Sequence, residues 1–191
     1  MRMLDRRSWL LAAAAAAVAL PAHAAFDLPT LMALLAQRKS GEAKFTEERI
    51  VSTLDSPLRS SGTLSFAAPD RFTRTTLEPR AEQIDVQGNT ILLKRGGRTR
   101  QVTLDAVPEL AVMVDAIRGT LAGDALALQK HFKIDVSGSA AKWGLALTPL
   151  DARLATQVRS IEIAGQNADV RSVALQLGGG DRSLMLIEPL K

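Results

Sequence analysis

Outside its first 24 residues the chain has one histidine, His131, and it contains no cysteine at all. A histidine titrates near neutral pH and can move a proton or hold a metal, so acid–base chemistry would have to begin there. Its setting does not favour that role. Lys130 precedes it and the alternation of a strand follows, which reads as a structural or exposed histidine. A Ser-His-Asp set need not be contiguous, but no glycine-flanked nucleophile elbow accompanies this histidine. Glu47 and Glu48 are neighbours in a strand pattern and so point to opposite faces, a poor geometry for a shared acid–base site. They read as solvated strand charge. The segments "RGGR" (Arg95 to Arg98) and "GGGD" (Gly178 to Asp181) lack the strand–loop–helix context of a phosphate cradle and read as hairpin turns. No acidic cluster has calcium-loop spacing. The missing cysteines exclude disulfides, thiolate zinc sites and a thiol nucleophile. The residues therefore predict no catalytic group, no metal and no cofactor.

The elements that would position any site begin after a leader. Arg2, Arg6 and Arg7 precede the apolar run "WLLAAAAAAVAL" (Trp9 to Leu20), and Ala22-His23-Ala24 fits a small-x-small cleavage pattern. That series predicts a secretory signal over residues 1–24, and the run is short for a membrane span of about 20 apolar residues. The chain carries 24 basic and 20 acidic residues, a net charge of +4. Removing the three arginines and Asp5 with the leader leaves +2. The basic pI is thus no sign of a nucleic-acid partner.

From Asp27 onward the pattern is helical, then switches to period two. Asp27 can cap a helix with Pro29 in its first turn and Leu28, Leu31, Met32, Leu34 and Leu35 on one face. Strands are expected near 42–53, 58–67, 71–78, 81–87, 90–94 and 98–104, separated by the turn chemistries "DSP", "APD", "EPR", "QGN" and "RGG". Such tight turns imply an antiparallel meander. Helical spacing returns between Val107 and Phe132, where Leu110, Met113, Val114, Ile117 and Leu121 form a face and Asp124 can cap a second short helix. Five more strands follow, and residues 150–157 read as either a short helix or a loop. The result is an α+β chain of about eleven strands and three helical segments.

Eleven strands that twist by roughly −20 to −25° per neighbour must curl. A curled sheet has a concave apolar interior that three short helices cover incompletely. This predicts an unclosed half-barrel with a helical lid, contributed by Leu110, Met113, Val114, Ile117 and Leu121, over a hydrophobic hollow. The apolar strand residues Phe45, Leu64, Phe66, Ile91, Leu93, Leu145, Leu147, Ile161, Ile163, Val173 and Leu175, with Met185 and Ile187, either fill a core or line that hollow. Period alone does not separate the two. Trp143, the one tryptophan after the leader, is expected to report optically on binding there.

The order of these pieces resembles the LolA family of periplasmic lipoprotein carriers. The likeness rests on the leader, the first helix, "AKFTEERIV", "SSGTLSFAAPDRFTRTTLEP", "DVQGNTILLKRGGRTRQVTL" and a helical insertion before a final meander, and covers roughly Phe26 to Pro189. It implies a monomeric domain over residues 25–191, located in the periplasm. It also implies an acylated lipoprotein or lipid cargo, an inner-membrane exporter and an outer-membrane acceptor. The resemblance makes the apolar strand residues above a cargo-binding wall. A relative carrying another acylated or polyene lipid, or a lipid-sensing adaptor, is the alternative. The family's arginine just before the proline of "FAAPD" is Ala68 here, and Arg71 lies beyond the corner. The lid is accordingly expected to be held by apolar packing, with Arg71 turned to solvent or a neighbouring strand.

The leader carries its own test. N-terminal sequencing of exported protein should start near Ala25, and retention of Met1 in that material would contradict the reading.

Overall fold

Asp27 starts the first helix as its spacing predicts. Its carboxylate accepts hydrogen bonds from the Thr30 hydroxyl (2.6 Å) and the Thr30 N–H (3.0 Å), which hold its pKa below the ordinary carboxylate value. The computed structural model describes residues 26–106 and 108–190, so the leader expected at 1–24 lies outside the described residues. Helix α1 (Leu28–Leu35) buries Leu31, Met32 and Leu35. Two meanders follow. The first runs through β1 (Ser40–Ile50), β2 (Leu58–Ala67), β3 (Arg71–Glu78), β4 (Glu82–Gln87), β5 (Thr90–Arg95) and β6 (Arg98–Thr103). Helices α2 (Pro108–Ala122) and α3 (Ala125–Gln129) lead into the second. It contains β7 (Phe132–Ser139), β8 (Lys142–Pro149), β9 (Val158–Gln166), β10 (Asp169–Leu177) and β11 (Arg182–Pro189), with α4 (Ala152–Gln157) between β8 and β9.

All eleven strands form one antiparallel sheet in the order β6-β5-β4-β3-β2-β1-β11-β10-β9-β8-β7. Only β1 and β11 pair out of sequence, with Phe45 opposite Ile187, and this pairing joins the two meanders. The strands β6 and β7 stand at the two edges, so the half-barrel is unclosed.

Among the described residues the α-helices number four, against three helical segments expected from the sequence. The ambiguous stretch after Pro149 is helical because the Asp151 carboxylate accepts from the N–H groups of Arg153 (2.8 Å) and Leu154 (2.9 Å). Six residues are too few for a helix to stand alone. Burial of Leu154 supplies what the local sequence lacks. Gly123 turns the chain from α2 to α3 at φ +69, and a side chain there would come within 2.2 Å of the Met32 carbonyl oxygen. That close approach docks the helical corner on α1.

The helices are unevenly shared between the two halves of the sheet. The buried side chains Leu31, Leu35, Leu128 and Leu154 from α1, α3 and α4 pack with Trp143, Leu145, Leu147 and Ile161 from β8 and β9. The Trp143 ring lies across Gly165, and its indole N–H donates to the Asn167 carbonyl at 2.9 Å. Over the other half a smaller cluster joins Val114 of α2 to Val86, Ile91 and Leu104. The outer face of the sheet is less covered, with Leu184 and Leu186 about half exposed.

This division predicts the cost of truncation on each face. Leu147→Ala, at a fully buried site, should lower unfolding free energy by about 2–5 kcal/mol. Leu184→Ala should stay within about 0.5 kcal/mol, as measured by urea denaturation.

Candidate functional site

Where the helices do not reach the sheet, the inner face encloses a cavity of about 430 Å³, within the usual range for small-molecule sites. Its wall is overwhelmingly apolar. The cavity lies beneath α2, between the two buried clusters. All five residues expected for the lid (Leu110, Met113, Val114, Ile117 and Leu121) border it. From the sheet, Leu64, Phe66, Ile91, Ile161, Ile163, Val173 and Leu175 border it as well.

Four residues expected in the wall do not border the cavity. Leu145 and Leu147 are sealed into the main core, because α1, α3 and α4 cover their end of the sheet. Leu93 faces inward on β5 but lies beyond the cavity margin, between Ile84 and Arg100 in the strand register. Phe45 is buried under the Arg74 guanidinium, whose central carbon sits 4.6 Å from the ring centroid. Trp143 is likewise packed in the core and does not touch the cavity, so it cannot serve as the expected direct reporter. The alternation of β3 and β4 brings in Phe72, Ile84 and Val86, which the sequence reading passed over. Their period-two spacing was the available signal.

The cavity wall also holds charge. Glu47, read from sequence as solvated strand charge, points inward and meets Arg74 at 2.6 Å. One carboxylate oxygen of Glu47 accepts from the Ser183 hydroxyl at 2.6 Å, and the other accepts from Ser60 at 3.2 Å. Burial pushes the Glu47 pKa up. The Ser183 hydrogen bond, the charge and hydrogen bond of Arg74, and Ser60 together outweigh that effect, so the group ends below its ordinary value. Arg38 and Asp169 form a second pair at the cavity boundary, 2.6 Å apart. Among the described residues no cluster of three or more metal-binding side chains is present.

The lid is fastened by a residue that the sequence reading did not single out. Arg118, on α2, donates through Nη2 to the carbonyl oxygens of Asp70 (3.1 Å) and Gly88. These carbonyls belong to the turns leading into β3 and out of β4. The cation therefore sits on the lid and the acceptors on the sheet. The family's arginine at the place of Ala68 would instead have put the cation on a strand. Lid attachment is consequently not a matter of apolar packing alone. Arg71 takes no part in it: its guanidinium is largely exposed and reaches across to Asp85 on β4 at 3.5 Å.

A protein-family model described as "Outer membrane lipoprotein carrier protein LolA-like" matches residues 13–188. No curated protein sequence matches the chain. Among solved structures, a LolA superfamily protein from Nitrosomonas europaea is similar at TM-score 0.43 and 9% identity, over 83% of this chain and 90% of that one. The lipoprotein LppX from Mycobacterium tuberculosis is similar at TM-score 0.42 and 10% identity, over 84% and 94%. An outer membrane lipoprotein-sorting protein domain from Vibrio parahaemolyticus gives TM-score 0.42 and 10% identity, over 84% and 88%.

Two outcomes follow from the polar contacts. Removing Arg118 by Arg118→Ala takes away charge-assisted hydrogen bonds worth roughly 1.5–3 kcal/mol, so hydrogen exchange in α2 should quicken about tenfold to a hundredfold. Arg71→Ala should leave that exchange unchanged. Because the Glu47 pKa is depressed in the fold, its contribution is present above the ordinary carboxylate range and lost as pH falls through its lowered value. Glu47→Gln should flatten that acid limb in a plot of stability against pH.

Proposed function

The chain belongs to the family of LolA-like outer membrane lipoprotein carrier proteins, and from that premise we propose that it shields acyl chains in the cavity under α2. The observation that carries this reading is an apolar cavity closed by a helix that polar contacts fasten at one position. Each CH₂ removed from water contributes about 0.8 kcal/mol, so part of an acyl chain supplies useful affinity once the cost of association is met. No proton transfer or nucleophile is needed. The protein acts by binding and releasing, not by catalysis.

In the fuller form of the proposal the carrier works in the periplasm, taking acylated lipoprotein from an inner-membrane exporter to an outer-membrane acceptor. The wall residues that bear on cargo are Leu64, Phe66, Ile91, Ile161, Ile163, Val173 and Leu175. The lid contributes Leu110, Met113, Val114, Ile117 and Leu121. One observation favours a second reading, that the cargo is another acylated lipid: the Arg74–Glu47 pair sets a polar spot in a mainly hydrocarbon wall. A chain carrying a polar group along its length would match that spot better than a plain acyl chain.

Displacement of an environment-sensitive apolar dye by an acylated peptide tests the shared core of both readings. The wild-type protein should bind the dye and release it to the peptide. Leu64→Glu should weaken dye binding at least about tenfold, because a charge in a dry wall is strongly disfavoured. Leu184→Glu, on the outer face, should not, and a circular dichroism melt separates lost binding from lost folding. A folded wild-type protein that binds neither dye nor acylated peptide would contradict the proposal.

A further inference from the structure

The inner face of the first meander changes character toward one edge. Ile91 borders the cavity, and alternation along β5 places Leu93 and Arg95 on the same face. Their partners on β6 are Val102 opposite Ile91, Arg100 opposite Leu93, and Arg98 opposite Arg95. The same rows continue inward through Ile84 to Arg74, and through Glu82 to Thr76. Over two steps of roughly 7 Å each, the concave surface thus passes from Ile91–Val102, through Leu93–Arg100, to Arg95–Arg98. Hydrocarbon wall gives way to cations.

Little on this surface neutralises those cations. Arg95 has Glu82 at 3.7 Å. Among the described residues Arg98 and Arg100 form no ion pair, and both are exposed. Lys94, on the outer face, adds to the same field, and the segment 94–100 contains four cations and no acid. A charged edge strand also guards against edge-to-edge pairing, which needs charge of either sign. The opposite edge, β7, meets that need with both signs, since Lys133 and Asp135 lie 3.9 Å apart. A single sign on β6, aligned with the end of an apolar surface, asks for a further cause.

We propose that Arg98 and Arg100 form a head-group site for a cargo amphiphile whose polar end is anionic, with its hydrocarbon held in the adjoining cavity. Guanidinium forks suit phosphate and carboxylate oxygens alike, through paired N–H donors. The two arginines share a face two residues apart, a spacing at which one multi-oxygen anion can meet both. The site rests on the acyl-shielding function proposed above and narrows it to anionic cargo.

Calorimetric titration of the full chain, below the aggregation concentration of each ligand, tests the assignment. The ligands share one acyl chain and differ in head group: lysophosphatidylglycerol, the free fatty acid, lysophosphatidylcholine and monoacylglycerol. Glycerol phosphate serves as the head group without the chain. The wild-type protein should prefer the two anionic amphiphiles to monoacylglycerol by about fivefold to tenfold at low salt, with less preference at high salt. In Arg98→Glu/Arg100→Glu, which keeps a charged edge, that preference should vanish or invert while monoacylglycerol binds as before. A preference that survives the double change would overturn the proposal. So would glycerol phosphate binding as tightly as lysophosphatidylglycerol, which would mark a free-anion site. The assignment also fails if the double change abolishes attachment to phosphatidylglycerol vesicles but spares the anionic preference in solution, since the arginines would then serve the membrane surface. Absence of monoacylglycerol binding in wild type would instead strike at the acyl-shielding function itself.

Discussion

One face of an eleven-stranded sheet must be kept from water, and the helices available to cover it are short. Helices α1, α3 and α4 settle on β7–β9 and complete a packed core there, with Leu145 and Leu147 buried in it. Among the described residues α2, with Leu104 just before it, covers the rest. The cavity is the part of the inner face that one helix of 15 residues cannot fill. The opening of the half-barrel, the position of the lid and the apolar character of the wall all follow from that shortage of helix.

A lid held only by apolar contacts would compete with any apolar cargo for the same surface. Arg118 changes this balance: it borders the cavity, but its bonds to the Asp70 and Gly88 carbonyls are polar contacts that hydrocarbon does not replace. Val114 packs with Val86 and Ile91 on one side of α2, while Ala116 joins the main core on the other. The helix therefore bridges two packed regions across the hollow, with a directional polar contact at the sheet turns. Inside the wall, Glu47 and Arg74 satisfy each other with help from Ser60 and Ser183. A charge pair with this many partners can remain in an apolar enclosure without either member being left unpaired.

Much of this architecture was legible in the chain because strands and turns carry local signals. The Gly96-Gly97 turn, the Asp27 and Asp124 caps and the alternation of β2 and β5 are each set by residues within a few positions of one another. Which apolar residues face the cavity was not legible in the same way. Leu145 and Leu64 have the same period and the same chemistry, and they differ only in whether α1 or empty space lies above them. Glu47 illustrates the same limit for charge. Its inward direction follows from strand parity with Phe45, but its partners come from β2, β3 and β11, as far as 136 positions away. Arg118 was hidden because a cation on a helix gives no local sign that two carbonyls await it.

The central claim is that the space beneath α2 holds hydrocarbon. Native mass spectrometry of the protein purified from its native host, with lipid analysis of the extracted fraction, tests this most directly. The account predicts a fraction of molecules heavier than the bare chain by the mass of one acylated compound, which organic extraction removes and recovers. A population entirely at the mass of the bare chain, together with an extract free of acyl groups, would contradict it.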